Sequence, residues 1–236
     1  MSTRRRTTFR IVSGLLSVVA ITSAIAVVAV LMSRGAGDTG SGPVDGTRAG
    51  ETVVAFYGDS YTRGTMASAP DKRWSSIISA ERGWTEFNPS RNGLGFVNNR
   101  GAMGGADLVD QVIADHPDIV ISTMGLNDNF SMPARADEIK AAITRDFTKL
   151  KAALPEALFI IVEPFWYTEE RPESVDRING WVQAAAAGIG ADYIPGASHW
   201  LDGHPEWMAV DGLHPNDEGY QAIANRMDAA LATLGL

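Results

Sequence analysis

Residues 52–63, TVVAFYGDSYTR, decide the fold of this chain. The run up to Tyr57 is rich in β-branched and aromatic residues, which predicts a buried strand over 52–57, and Gly58 ends that strand. Ser60 follows at once, so a hydroxyl group lies near the carboxyl end of the strand. In open α/β sheets ligands bind at this edge, because the strands end together there and their loops converge. The stretch therefore indicates an α/β sheet with a candidate functional serine at its binding edge.

The sequence after this strand alternates between helical and strand patterns. Apolar residues of 134–153 recur at a spacing of three to four, which predicts an amphipathic helix. Two of the later predicted strands are apolar almost throughout, as is typical of strands that are buried on both faces. We therefore expect a three-layer α/β/α sandwich with a parallel sheet of about five strands. The further predicted strands are 84–87, 118–124, 158–162 and 192–194, and the predicted helices are 72–82, 106–115, 134–153, 172–187 and 216–234.

The first 50 residues differ in composition from the rest of the chain. Residues 1–10 carry four arginines, residues 11–32 carry no charge, and residues 33–50 are rich in Gly with Ser, Asp and Pro. An apolar helix of about 22 residues, at ~1.5 Å per residue, spans the ~30 Å core of a bilayer. We therefore expect a cytoplasmic basic segment, a hydrophobic transmembrane helix over 11–32, a flexible linker over 33–50 and a folded domain over 51–236 outside the membrane.

A cleaved signal segment is the alternative to this anchor. The apolar run is longer than the ~7–15 residues of a usual signal peptide. A small-residue cleavage pattern occurs at residues 24–26, but it lies inside the apolar run. We expect an anchor, and cleavage would instead leave a secreted domain. Both alternatives place the folded domain outside the cytoplasm.

Composition excludes several classes of function. The net charge is −8, and the region after residue 50 has no basic stripe, so we expect no nucleic-acid partner. The chain has no cysteine, which excludes disulfides and thiolate chemistry. A hydrophobic content of 45% with 20% charged residues is typical of a globular domain.

A nucleophilic serine needs a base within hydrogen-bond reach, and the base needs a third group to orient it. His214 lies in DGLHP, residues 211–215, and Asp211 precedes it by three residues, close enough to accept a hydrogen bond from the imidazole. Alternatively, Asp211 is only a turn residue and Pro215 only starts a helix. His116 is expected at the surface, and so are His199 and His204, although either of these two could alternatively line a site.

Acyl transfer also needs preorganised donors for the negative charge on a carbonyl oxygen. Asn127 follows the predicted strand 118–124, so its side-chain amide lies at the same sheet edge as Ser60. A glycine in the loop after 84–87 can bring its N–H close to a ligand, because no side chain blocks the approach. Alternatively, Asn127 belongs to an ordinary Asn-Asp turn.

Three segments together resemble the SGNH/GDSL hydrolase family: GDS at 58–60, GLND at 125–128, which matches GxND, and DGLHP at 211–215, which matches DxxHP. The resemblance runs from residue 52 to the C-terminus in the family's block order, although Tyr61 and Thr62 depart from GDSL. It implies a flavodoxin-like SGNH fold with no cofactor and no metal. It also implies that Ser60 is the nucleophile and an oxyanion donor through its N–H. In the same way, Asn127 is the side-chain donor, His214 the base and Asp211 its partner.

The glycine of the oxyanion hole is less defined. Gly93 follows the predicted strand 84–87 and Asn88 in a way that resembles the family's glycine block. Gly104 with Asn99 has the same spacing. We prefer Gly93, because it follows the strand directly.

These patterns predict an extracytoplasmic serine esterase that hydrolyses carboxylic (acyl) esters through an acyl-enzyme on Ser60. The substrate is a small-molecule, lipid or acylated-glycan ester, and Phe165, Trp166 and Trp200 are predicted to contact it, unless they only pack a lid. Two alternatives are an acyltransferase that moves an acyl group onto or off a cell-envelope glycan or lipid, and a non-catalytic extracellular binding domain. A metallophosphoesterase needs more ligands than this chain arranges.

Overall fold

A computed structural model of the chain describes residues 50–102 and 104–236. The predicted basic segment, the predicted hydrophobic helix over 11–32 and all but the last residue of the predicted linker lie outside the described residues. Within the described ranges, no helix has the length and apolar character needed to cross a membrane.

The predicted strands and helices are all present, with bounds that differ from the predicted ones by no more than two residues. The strands are β1 Val53–Tyr57, β2 Thr85–Phe87, β3 Ile119–Ser122, β4 Leu158–Val162 and β5 Asp192–Ile194. The helices are α1 Ser60–Arg63, α2 Trp74–Arg82, α3 Leu108–Asp115, α4 Ala136–Ala153, α5 Glu173–Gly188 and α6 Asp217–Thr233.

All strand pairs are parallel, and the order across the sheet is β2-β1-β3-β4-β5. The chain therefore leaves β1 in one direction to form β2 and then returns to form β3 on the other side of β1. Such a reversal of strand order opens a crevice at the carboxyl ends of the two strands, where ligands bind in open α/β sheets. The segments that follow β1 and β3 carry Ser60 and Asn127, so both residues lie at this crevice.

Alternate residues of each strand point to opposite faces of the sheet, and each face is covered by helices. On one face, Ala55, Tyr57, Val120 and Ile161 pack with buried residues of α3, α4 and α5. On the other face, Val54, Phe56, Ile121 and Ile160 pack with buried residues of α2 and α6. The predicted three-layer α/β/α sandwich with five parallel strands is thereby confirmed.

Helix α1 is an element that the sequence patterns do not predict, because four residues are too few to show a helical period. Its signals are local. The Asp59 side chain caps its first turn by accepting from the N–H of Tyr61, and Gly64 ends it with a φ of 80°. The helix begins at Ser60, directly at the edge of the sheet.

Candidate active site

Ser60 follows a sharp turn at Gly58 and Asp59, between β1 and α1. Gly58 makes this turn possible, because a Cβ atom there would lie 2.4 Å from the Thr62 hydroxyl oxygen and 2.7 Å from that of Thr123. The two threonine hydroxyls are hydrogen-bonded to each other at 2.6 Å and are buried. This bond joins α1 to the segment after β3, so the start of α1 is fixed against the neighbouring strand.

His214 connects Ser60 to Asp211. Its Nε2 atom lies 2.9 Å from Oγ of Ser60, and its Nδ1 atom lies 2.7 Å from Oδ2 of Asp211. The other carboxylate oxygen of Asp211 accepts from the N–H groups of Leu213 and His214, each at 3.0 Å. Partial burial acts to raise the pKa of Asp211, but these hydrogen bonds and the nearby imidazole outweigh it and lower the pKa.

Helix α1 contacts residues 208–215, which we call the histidine loop, and holds them in place. The hydroxyl of Tyr61 donates to the carbonyl of Leu213 at 2.6 Å, and Tyr61 is fully buried. Within the loop, the N–H of Ala209 donates to the carbonyl of His214 at 2.8 Å. Tyr61, which departs from the GDSL pattern, therefore has a structural role, because it anchors Leu213, the residue before His214. Sequence reasoning missed this contact.

Asn127 follows β3 and lies at the same edge of the sheet as Ser60. It belongs to a 3₁₀ helix, Leu126–Ser131, that follows β3. Its Nδ2 atom donates to the carbonyl of Leu94 at 3.0 Å and, over a longer distance of 3.3 Å, to Oδ2 of Asp59. Gly125 starts this turn with a φ of 143°, and a Cβ atom there would lie 2.6 Å from Pro164.

The two candidate glycines lie in different surroundings. Gly93 has a φ of 71° and immediately precedes Leu94, whose carbonyl contacts Asn127. Gly104 accepts from the Arg91 side chain at 2.9 Å and lines a cavity of about 160 Å³. The structure thus brings Gly93 into the segment that contacts Asn127 and places Gly104 at that neighbouring cavity.

The family model of the GDSL-like lipase/acylhydrolase family matches residues 56–222. The chain belongs to this family. It is 27% identical over 191 residues to a GDSL lipase of Mycobacterium tuberculosis, and the alignment covers 74% of this chain and 79% of that relative.

Solved structures of esterases have the same fold. The psychrotrophic esterase EstA from Pseudoalteromonas sp. superimposes with a TM-score of 0.62 at 15% identity and covers 78% of this chain and 98% of its own. A family two carbohydrate esterase from Cellvibrio japonicus superimposes with a TM-score of 0.61 at 17% identity and covers 77% of this chain and 61% of its own. At such identities the likeness is one of fold. The family match and the lipase relative identify the chain as a carboxylic ester hydrolase of the SGNH/GDSL type.

Two buried carboxylates flank Asn127 in this GDSL-like hydrolase. Burial, with a contribution from the charge of Asp128, raises the pKa of Asp59 to about 7. Burial also raises the pKa of Asp128, although three backbone N–H groups oppose the shift. Both side chains are occupied by hydrogen-bond donors of the protein. Within the described part of the chain, no group of three or more His, Asp or Glu side chains is arranged to hold a metal ion.

The predicted substrate contacts of Phe165 and Trp166 need correction. Phe165 is 2% exposed and stacks on Tyr61, with ring centroids 5.7 Å apart. Trp166 is 3% exposed, and its Nε1 atom donates to the Thr168 hydroxyl at 2.9 Å. Neither ring presents a face to a ligand, because the loop after β4 folds into the core. The packing alternative describes these two residues.

Trp200 packs against Phe165, with ring centroids 5.8 Å apart. It also lines a shallow cavity of about 430 Å³ with Tyr193 and Arg226. Ser60, Asp211 and His214 are not among the residues that line this cavity. The structure therefore places Trp200 at this cavity and not with the catalytic candidates.

The remaining histidines lie elsewhere in the fold. His116 ends α3 with a φ of 50°. His199 pairs with Asp202 at 2.9 Å, and His204 stacks on Trp207 with ring centroids 3.5 Å apart. All four histidines lie in the described residues, and His214 is the one whose ring contacts Ser60.

Proposed function

We propose that this domain hydrolyses acyl esters through an acyl-enzyme on Ser60, with His214 as general base and acid and Asp211 as the group that orients it. The observation that carries the proposal is the continuous hydrogen-bonded chain from Oγ of Ser60 through the imidazole to Asp211, with distances of 2.9 and 2.7 Å. A serine becomes a nucleophile when a base stands within this reach and a third group holds the base.

The geometry supports the following sequence of steps. Nε2 of His214 takes the proton of Ser60 as Oγ attacks the ester carbonyl carbon. The Nδ1–H group donates to Asp211, which holds the tautomer with a free Nε2 and stabilises the imidazolium that forms. The imidazolium then protonates the leaving alcohol oxygen. A water molecule repeats the cycle on the acyl-enzyme and releases the carboxylic acid.

Three donors are assigned to the oxyanion. Ser60 is the first residue of α1, and the first N–H groups of a helix have no acceptor within it. The N–H of Gly93 is the second donor and the Nδ2 atom of Asn127 is the third. The bond from Asn127 to Asp59 is the longer of its two at 3.3 Å, so this is the one that yields to the oxyanion.

The substrate class and the location are parts of the same proposal. We assign a small-molecule, lipid or acylated-glycan ester; the relative is named a lipase and one structural neighbour a carbohydrate esterase, which support an acyl ester of either kind. We also propose that residues 11–32 anchor the domain outside the membrane, which rests on sequence composition. Membrane fractionation of the full chain tests the anchor, and a mature protein free in the medium contradicts it.

The activity is tested with p-nitrophenyl esters of increasing chain length and, in parallel, an acetylated polysaccharide. We expect the full chain to release free carboxylic acid and Ser60→Ala to lose this turnover while it keeps the fold, since a serine at the end of a strand contributes little packing. EDTA leaves the rate unchanged, because no step uses a metal. Undiminished turnover by Ser60→Ala, or activity lost to EDTA and restored by a divalent ion, contradicts the proposal.

A further inference from the structure

Asp128 is a buried carboxylate that the proposed reaction does not use. Its side chain is 0% exposed. Oδ2 accepts from the N–H of Phe96 at 2.7 Å, and Oδ1 accepts from the N–H groups of Val97 and Asn98 at 2.9 and 3.1 Å. Three consecutive backbone donors therefore surround one carboxylate. Burying a charged group without such partners costs several kcal/mol, roughly, so these bonds are what keeps the carboxylate in place.

Gly95 makes the close approach possible. A Cβ atom at this position would lie 2.6 Å from each oxygen of the Asp128 carboxylate. Gly95 has no left-handed backbone conformation, so the glycine is needed here for space and not for its φ angle. Any larger side chain has to push the carboxylate or the backbone away.

The segment that surrounds the carboxylate is residues 93–98, which we call the glycine loop. Its turn is closed by the N–H of Gly95, which donates to the carbonyl of Asn98 at 2.9 Å. The side-chain amide of Asn98 donates to the carbonyl of Gly93 at 3.1 Å. The orientation of Gly93 thus depends on the same turn that the three N–H bonds to Asp128 hold.

The glycine loop also contacts the amide of Asn127. The carbonyl of Leu94 accepts from Nδ2 of Asn127 at 3.0 Å. Asp128 follows Asn127 directly in the 3₁₀ helix. Asn127 carries one proposed oxyanion donor. Its neighbour Asp128 holds the glycine loop, which carries the other proposed donor, Gly93, and which contacts Asn127.

We infer that Asp128 is a positioning residue, which fixes the N–H of Gly93 and the amide of Asn127 relative to each other by holding the glycine loop. This inference rests on the proposed function, since both donors are assigned there. Rigid placement of donors before the reaction is the main source of electrostatic stabilisation in such sites. Asp128 acts through the donors and does not touch the substrate.

Glu163 offers a matched control. Its two carboxylate oxygens accept from the N–H groups of Gly196 and Ser198 at 2.9 and 3.1 Å, so it holds a loop in the same way. That loop follows β5 and carries no proposed oxyanion donor. Asp128→Asn and Glu163→Gln therefore both remove a carboxylate that holds a loop. Only Asp128→Asn also disturbs the placement of the proposed oxyanion donors.

The experiment measures kcat and KM for p-nitrophenyl acetate, together with thermal unfolding, in Asp128→Asn, Gly95→Ala and Glu163→Gln. An asparagine keeps one acceptor oxygen but turns an NH₂ group toward a backbone donor. We expect Asp128→Asn and Gly95→Ala to lower kcat by at least ~10-fold, up to the ~10²–10³ of a removed donor, with KM nearly unchanged. Glu163→Gln lowers the unfolding temperature but leaves kcat near that of the parent chain.

The double variant Asn127→Ala/Asp128→Asn distinguishes the proposed positioning role of Asp128 from a purely structural role. If Asp128 acts through the oxyanion donors, its effect on kcat shrinks once Asn127 is gone, so the two effects are not additive. A kcat near the parent value in folded Asp128→Asn overturns the inference, as do additive effects in the double variant. If Asp128→Asn does not fold, Gly95→Ala decides by the same kcat criterion. Turnover that survives in Ser60→Ala would instead reject the proposed function itself.

Discussion

Asp59 precedes Ser60 in the chain and Asp211 is linked to Ser60 through His214, and the surroundings of the two carboxylates differ. Asp59 is 1% exposed, and burial raises its pKa to about 7. The Asp211 side chain is 35% exposed, and hydrogen bonds from His214 and Leu213 outweigh its partial burial and lower its pKa. One site therefore has a buried side, around Asp59 and Asn127, and a solvated side, around Asp211. Burial restricts the movement of Asn127 on the buried side. On the solvated side, hydrogen bonds and partial solvation keep Asp211 ionised next to the imidazole.

The largest expected effect lies on the solvated side. His214→Ala removes the proposed base, and we expect kcat for a p-nitrophenyl ester to fall by ~10⁴–10⁶. Asp211→Asn keeps the shape of the side chain but no longer favours the tautomer with a free Nε2, so a loss of about 10⁴ is expected. Steady-state kinetics with active-site titration measure both. A loss below about tenfold in His214→Ala means that another group activates Ser60, and the same result in Asp211→Asn means that Asp211 is not needed to orient His214.

The pH dependence of stability distinguishes the two sides. Because the pKa of Asp59 is raised from an ordinary 3.8 to about 7, the stability it contributes is complete below pH 3.8 and is lost as the pH rises through about 7. The shift corresponds to roughly 4 kcal/mol, at ~1.4 kcal/mol per pKa unit. Asp211 acts in the opposite direction, since a lowered pKa gives stability that is lost as the pH falls.

Thermal unfolding of the parent chain and Asp59→Asn between pH 4 and 8 tests this sign, because the asparagine cannot ionise. The stability of the parent relative to the variant should fall from pH 4 to about 7 and then level off. A difference that stays constant or grows with pH would place Asp59 in a solvated or ion-paired environment.

The third expected effect is on the buried side and concerns the transition state alone. Asn127→Ala removes one proposed oxyanion donor. Loss of such a donor typically lowers kcat by ~10²–10³, or about 2.7–4 kcal/mol, with little change in KM. Ser60 should still react with a fluorophosphonate, but slowly. A parent-like kcat would leave the donor role to the N–H groups of Ser60 and Gly93.

Sequence patterns predict the frame of this domain well because its strands are short and mostly apolar and its turns carry glycine. The observed bounds of β4 and β5 coincide with the predicted ones. Ser60, His214 and Asp211 could be proposed because each motif ends a strand or opens a helix at one edge. Helix α1 could not be predicted, since four residues show no period.

Side-chain environments were the part that sequence patterns could not supply. Phe165 and Trp166 follow a strand at the active edge, as functional residues do, but the loop after β4 turns them into the core. Asp128 resembles a turn residue in sequence, and its three backbone bonds depend on a loop about 30 residues away. Burial and contacts of this kind are decided by the folded chain and leave little trace in local sequence.

Ser60, activated by His214, is proposed to form the covalent intermediate of the reaction. The most direct measurement is peptide mass spectrometry of the chain after reaction with a fluorophosphonate. We expect a single adduct on the peptide that contains Ser60, absent in Ser60→Ala and formed much more slowly in His214→Ala. An adduct on another residue, or labelling that persists in Ser60→Ala, would show that Ser60 is not the nucleophile.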